Sequence, residues 1–231
     1  MKNNNYRLQF ITHHTDCYSY VDSARLALEG GCRWVQLRMK GAVQGELEET
    51  ARLVQRMCRE SGATFIIDDD VFLAKRIGAD GVHLGKEDMP VAVARAILGA
   101  EAIIGATVNT FDDIEAQLRS SRPDYFGCGP YRFTSTKARL APTLGLEGYR
   151  EIMRKVHENN ITIPLVAIGG ICKADIPLLL AAGVDGIALS GSVLRADNPA
   201  AEMCQIVELF KKIIIDYTNE KGFENLVPQL R

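Results

Sequence analysis

The sequence predicts an α/β chain folded as a closed (β/α)8 TIM barrel, a single domain over residues 1–231. Three observations carry this. Short β-rich segments alternate with helical patterns eight times, the order that builds a parallel sheet covered by helices. The length falls slightly under the ~250 residues usual for such a barrel, which leaves room only for short connections. No GxGxxG follows the first strand, which counts against the alternative, a doubly wound open sheet.

Strands are expected at Leu8–Ile11, Trp34–Met39, Thr64–Asp68, Gly81–Leu84, Ile103–Val108, Tyr125–Cys128, Pro164–Ile168 and Gly186–Ser190. Helical patterns lie between them, at about 19–29, 45–60, 70–77, 90–98, 111–120, 146–159, 173–182 and 199–217. Asp22 or Ser23 stands early in the first helix, Pro90 opens the fourth, and Asp112 and Asp113 begin the fifth. From about Thr218 to Arg231 the chain is polar and is expected to lie on the surface or fray.

Composition narrows the function classes. Apolar residues make up 47% of the chain, yet no apolar run approaches the ~20 residues of a membrane span. A net charge of -2 and the lack of a dense Lys/Arg run argue against nucleic acid or an anionic membrane as partner. Phosphorylated small molecules need only local positive charge and stay open, as does homo-oligomerisation. The six cysteines show no CxxC pair and no zinc spacing, and no secretory leader precedes them. Reduced thiols in the cytoplasm are expected.

In a barrel of this type, function sits at the carboxyl ends of the strands. The segment YFGCGPYRFTSTK, from Tyr125 to Lys137, leaves strand six through Gly127, Gly129 and Pro130 and reaches Thr134, Ser135, Thr136 and Lys137. Three hydroxyls and an ammonium there suit an anionic ligand. In WVQLRMK, alternation puts Gln36, Arg38 and Lys40 on one face and Val35, Leu37 and Met39 on the other. The polar face then points into the barrel mouth, where burial is costly unless a ligand or an acid answers it. The competing reading pairs Arg38 with acids after strand three as a structural contact.

Strand three ends in Asp68, Asp69 and Asp70, and Glu87 and Asp88 follow strand four. Carboxylates past neighbouring strand ends can approach one hard cation, and Mg²⁺ that keeps waters and shares a phosphate suits them. Alternatively Asp69 or Asp70 caps a helix, and Asp88 is an N-cap ahead of Pro90. Thr107 and Asn109 end strand five. Gly169 and Gly170 after strand seven, with Ser190, Gly191 and Ser192 after strand eight, stand where many barrels hold a phosphate, distinct from the region of Arg38 and Lys40. His83 reads as a hydrogen-bonded interior residue, and His13 and His14 end strand one without a further signal. No nucleophile with its base can be picked out.

The motifs QLRMK, IIDDDVFLA, GADGVHLGKEDMP, IIGATVNTFDDIEA, GPYRFTSTK, LGLEGY, AIGGI and GVDGIALSGS, in this order, resemble those of the thiamine phosphate synthase family. The resemblance implies a (β/α)8 transferase that joins 4-amino-2-methyl-5-hydroxymethylpyrimidine diphosphate to a thiazole phosphate, releasing pyrophosphate. It implies that Gln36, Leu37, Arg38, Met39, Lys40 and Thr107 hold the pyrimidine diphosphate, with Asp68 beside it. Asp69 and Asp88 would bind Mg²⁺, and Lys137 the pyrophosphate. Thr134, Ser135, Thr136, Gly170, Ser190 and Gly191 would hold the thiazole phosphate. Arg38, Lys40 and Lys137 are the expected catalytic charges. The chain departs from the family pattern at Met39, usually Glu, at Asp68, usually Asn, at Asp70, usually Arg, and at Thr107, usually Ser. Asp68 matters most, because a carboxylate cannot donate as an amide does. A related thiazole tautomerase and a non-catalytic barrel binding a thiamine precursor are the alternatives.

Overall fold

The computed structural model describes residues 7–133 and 142–221. Eight strands, β1 Leu8–Ile11, β2 Trp34–Leu37, β3 Thr64–Asp68, β4 Gly81–Leu84, β5 Ile103–Val108, β6 Tyr125–Cys128, β7 Leu165–Ile168 and β8 Gly186–Leu189, close in chain order into a barrel. Every neighbouring pair is parallel, and β8 returns to β1 through Leu8 opposite Ile187 and Phe10 opposite Leu189. Helices α1 Tyr20–Glu29, α2 Gln44–Glu60, α3 Val71–Ile77, α4 Val91–Leu98, α5 Phe111–Ser120, α6 Gly145–Glu158, α7 Ile176–Ala181, a short α8 Gly191–Leu194 and α9 Pro199–Lys221 surround it. Among the described residues no helix is long and apolar enough to cross a membrane.

Differences from the expected boundaries have local causes. β2 stops at Leu37 because the next amide, of Arg38, donates to the Thr12 hydroxyl at 3.0 Å. α1 is capped by Ser19, which accepts from the Asp22 amide while Asp22 answers the Ser19 amide. Ser23 is buried instead and accepts from the His13 amide at 3.3 Å. Asp113 completes the same reciprocal cap with Thr110 at α5, and Asp70 caps α3 by accepting from the Leu73 amide at 2.8 Å. Pro90 is the residue before α4, and Asp88 caps nothing there. Its carboxylate accepts from the Gly85 amide at 2.7 Å. α9 continues through 218 to Lys221.

Alternation along each strand sorts two cores. Val35, Leu37, Phe65, Ile67, Val82, Leu84 and Phe126 face the helix layer, while Ile11, Trp34, Ile66, Ile103, Tyr125, Val166 and Ala188 fill the barrel interior. The interior also carries a polar chain. Gln9 Nε2 donates to Tyr125 Oη at 3.3 Å, His83 Nδ1 lies 3.0 Å from that oxygen, and His83 Nε2 lies 2.9 Å from Thr107 Oγ1. His83 is thus the bonded interior residue its setting implies.

At the opposite, amino-terminal rim one device recurs. Asp80 before β4 accepts from the Phe65 amide of β3 at 2.8 Å, Asp124 before β6 from the Ile104 amide of β5 at 2.7 Å, and Asp185 before β8 from the Leu165 amide of β7 at 2.7 Å. Each carboxylate answers an amide at the start of a strand, where an unmet donor would be costly.

Space for the polar chain comes from two glycines. A Cβ on Gly105 would lie 2.2 Å from Tyr125 Cζ and 2.5 Å from His83 Nδ1, and one on Gly127 would lie 2.7 Å from His83 Cε1. Gly105→Ala should therefore lower unfolding free energy by about 1–3 kcal/mol through overpacking. Denaturant titration checks this, with the midpoint falling at constant slope. An unmoved midpoint would mean that the Tyr125 and His83 rings are not confined.

Candidate active site

The carboxyl ends of β2, β3 and β4 converge on one cluster of charges. Gln36 Nε2 donates to Asp68 Oδ1 at 2.6 Å, and Arg38 Nε lies 3.3 Å from Asp68 Oδ2. Lys40 Nζ lies 3.7 Å from the same oxygen and pairs closely with Asp69. The alternation in WVQLRMK therefore brings Gln36, Arg38 and Lys40 into the mouth. Leu37 and Met39 turn the other way, buried in the helix-side core. At the mouth these two residues therefore offer main-chain atoms rather than side chains.

The structural reading of Arg38 also holds, since Asp68 is its acid. Among the described residues the Gln36 amide oxygen has no hydrogen-bond partner although the side chain is buried. An acceptor aligned by its own NH₂ group on Asp68 is left for a donor from a ligand.

Asp69 adopts a left-handed backbone, φ 64°, which non-glycine residues rarely take and which costs free energy that the surroundings must offset. Its amide donates to the His83 carbonyl at 2.8 Å, tying the end of β3 to β4. Burial first, then the charge of Asp68 and a hydrogen bond with Asp88, raise the Asp69 carboxyl to about 7 against the pull of Lys40. At Asp88 burial also pushes upward, but the bonds to Asp69 and the Gly85 amide and the charge of Lys40 outweigh it and hold the carboxyl below its ordinary range. Lys40 is raised although burial opposes it, because Asp69, Asp68 and Asp88 surround it. Asp70 stays outside, occupied by its cap and by Gln44 Nε2 at 3.2 Å. Among the described residues no group of three or more His, Cys, Asp or Glu side chains is arranged to hold a metal. Asp69 and Asp88 offer two carboxylates from neighbouring strand ends, a donor type that fits a hard cation drawing its other ligands from water and a phosphate.

Beside this cluster, a cavity of about 370 Å³ opens between the ends of β1, β7 and β8. Gly169, Gly170, Ser190, Gly191 and Ser192 line it, with Arg38 on the β2 side. Gly169 and Gly170 have φ of 98° and 68°, and a Cβ on Gly169 would lie 2.7 Å from Pro130 Cα, so close backbone packing requires glycine there. The cavity and the charge cluster are less separate than expected, because Arg38 belongs to both. Thr107 sits at the end of β5, half-buried, with its hydroxyl on His83. Thr134, Ser135, Thr136 and Lys137 lie outside the described residues.

Just before them, Arg132 makes a two-pronged pair with the buried Asp175 and donates to the Gly170 carbonyl at 3.0 Å. This fork ties the segment after β6 to that after β7. Sequence reasoning missed Arg132, Asp175 and Arg195. His13 was placed on the rim, and Arg195 could have been found by counting one turn on from Gly191.

The family profile for thiamine monophosphate synthase matches residues 8–193. The chain belongs to that family. It is accordingly a member of a family of transferases. It is 58% identical to a thiamine-phosphate synthase from Phocaeicola vulgatus over 209 residues, covering 90% of this chain and 100% of the relative. It is 54% identical to one from Bacteroides thetaiotaomicron, covering 90% and 98%. The solved thiamine phosphate pyrophosphorylase from Pyrococcus furiosus superposes with a TM-score of 0.79 at 36% identity, covering 92% of this chain and 98% of that one.

The Asp68 carboxylate competes with any anion for Arg38 and Lys40. Asp68→Asn keeps an oxygen for Gln36 and removes that charge, so pyrophosphate should bind about threefold tighter or more at low ionic strength. Calorimetric titration measures it, and unchanged affinity would show that neither cation meets the anion.

Proposed function

We propose that this protein is a thiamine phosphate synthase of the cytoplasm. It condenses 4-amino-2-methyl-5-hydroxymethylpyrimidine diphosphate with a thiazole phosphate, giving thiamine phosphate and pyrophosphate. The observation that carries the reading is Arg38, which joins a carboxylate and cation cluster on one side to a glycine-lined cavity on the other. Two anionic substrates can then lie next to each other with one guanidinium between them.

In this reading Gln36 and Asp68 orient the pyrimidine ring, and Thr107 lies beside it. Arg38, Lys40 and Lys137 bind the diphosphate. The bond between the pyrimidine methylene carbon and the diphosphate oxygen breaks, and both electrons leave with pyrophosphate. The charge gathering on the leaving group meets cations already in place, which is worth more in the transition state than in the ground state. The thiazole nitrogen, held nearby by its phosphate in the Gly170, Ser190 and Gly191 cavity with Thr134, Ser135 and Thr136, donates its lone pair to the methylene cation and forms the C–N bond. Pre-positioning that nucleophile shortens the cation's life and favours transfer over hydrolysis. Asp69 and Asp88 would hold Mg²⁺, which would supply further positive charge to the leaving diphosphate.

A tautomerase or a mere binder would have no use for the paired carboxylates beside the cations. Incubation with both substrates and Mg²⁺, followed by detection of thiamine phosphate and pyrophosphate, tests the reading. Absence of both products from a folded protein sinks it. Asp69→Asn and Asp88→Asn should each raise the Mg²⁺ concentration needed for half-maximal rate and lower the saturated rate, whereas Asp70→Asn, a capping change, should leave both alone. An equal shift in all three would undo the metal assignment. Lys137→Ala should lower turnover by about two orders of magnitude or more with a smaller effect on substrate affinity. A change confined to the Michaelis constant would remove Lys137 from the leaving-group role.

A further inference from the structure

The cavity between β1, β7 and β8 carries more positive charge than backbone recognition of a phosphate requires. Among the described residues its lining includes His13, Arg38 and Arg195 and no carboxylate. Arg38 has Asp68 as a partner. Among the described residues Arg195 has no carboxylate partner, and its side chain reaches back to the cavity floor. A Cβ built on Gly191 would lie 3.0 Å from Arg195 Nη1 and 4.0 Å from His13 Cδ2. Gly191 thus opens a space that the guanidinium and the imidazole both border. Two cations and a histidine crowded around a polar, half-enclosed cavity repel one another unless an anion joins them.

We propose that His13 and Arg195 are further ligands of the phosphorylated thiazole, closing with Arg38 a cationic wall around its phosphate. Naming the anion as the thiazole phosphate rests on the synthase reading above. The wall itself rests only on the cavity and its charges. His13 is held half-buried, its amide on Ser23 of α1 and its ring at the cavity edge. Its pKa is lowered, by burial first and then by Arg38, His14 and Arg195. The charged groups acting on it come from the end of β2, from its own segment and from the segment after α8, and all are basic. A bound dianion reverses that balance. The imidazole then gains a proton and donates a charged hydrogen bond, so binding takes up a proton between the free and bound pKa values of His13. The direction follows from the sign. A group whose pKa rises on binding makes binding tighter as pH falls through the bound pKa, provided that the anion stays doubly charged.

The probes are inorganic sulfate, a dianion across the whole range, and inorganic phosphate, each added to the full chain against chloride of equal ionic strength. The His13 imidazole is followed by NMR as pH varies. Sulfate should move its titration upward relative to chloride. Arg195→Met should weaken phosphate binding about tenfold, with Arg195→Lys recovering part of the loss. His13→Gln should abolish the proton uptake seen when calorimetry is repeated in buffers of different ionisation enthalpy. In the synthase assay Arg195→Met should raise the KM for the thiazole phosphate and leave that for the pyrimidine diphosphate unchanged. An unmoved His13 titration, or unchanged phosphate affinity in Arg195→Met, overturns the proposal. Phosphate binding through His13 and Arg195 in a wild-type protein that makes no thiamine phosphate would fail the synthase reading while the wall stood. A working synthase whose thiazole phosphate KM ignores Arg195→Met would fail the wall alone.

Discussion

A parallel strand closed into a barrel is buried on both faces, and this constraint governs where polar chemistry can be placed. The outward face of each strand meets helices and the inward face meets other strands, so an unpaired charge has no cheap position along the strand itself. Only at the ends do the two faces open to water. The interior chain from Gln9 through Tyr125 and His83 to Thr107 is tolerated because each neighbouring pair is within hydrogen-bond distance. It also links the middle of the barrel to Thr107, near the carboxyl end of β5.

At that rim, charges are balanced against each other before any ligand arrives. Asp68 engages Gln36, Arg38 and Lys40, and Asp69 engages Lys40 and Asp88. Breaking one partner of such a set exposes the other to a desolvation cost, so the cluster is held together as a unit. Under the proposed function, a diphosphate entering it would exchange carboxylate contacts for phosphate contacts. The net gain would then depend on how many cations the carboxylates release. The left-handed turn at Asp69 is part of this arrangement, since it re-aims one carboxylate at the end of β3 while Asp70, the next residue, is spent on a helix cap.

Much of this was legible from residues alone. Strand positions followed from short β-branched runs set between turn residues, and five of the eight strands begin and end where the pattern placed them. The polar face of WVQLRMK was legible because period-two alternation is a strict geometric rule. The same alternation sends the side chains of Leu37 and Met39 to the helix layer, where the structure places them. The cap of α1 was less legible, because Asp22 and Ser23 both look like start signals and only the observed bonds show that Ser19 pairs with Asp22. The Arg132 pair with Asp175 was invisible for a different reason: the two residues lie on different βα units, and nothing in local spacing records a contact across 43 residues.

The aspartates at the amino-terminal rim form a series of their own. Asp80, Asp124 and Asp185 each clasp the strand before their own, so β3 with β4, β5 with β6 and β7 with β8 are riveted in twos, far from the mouth. Such a barrel resembles a row of staves hooped at the foot. The rim that does chemistry can be recut, loop by loop, while the foot keeps the staves aligned, and fidelity of assembly is thereby uncoupled from whatever the mouth is made to hold.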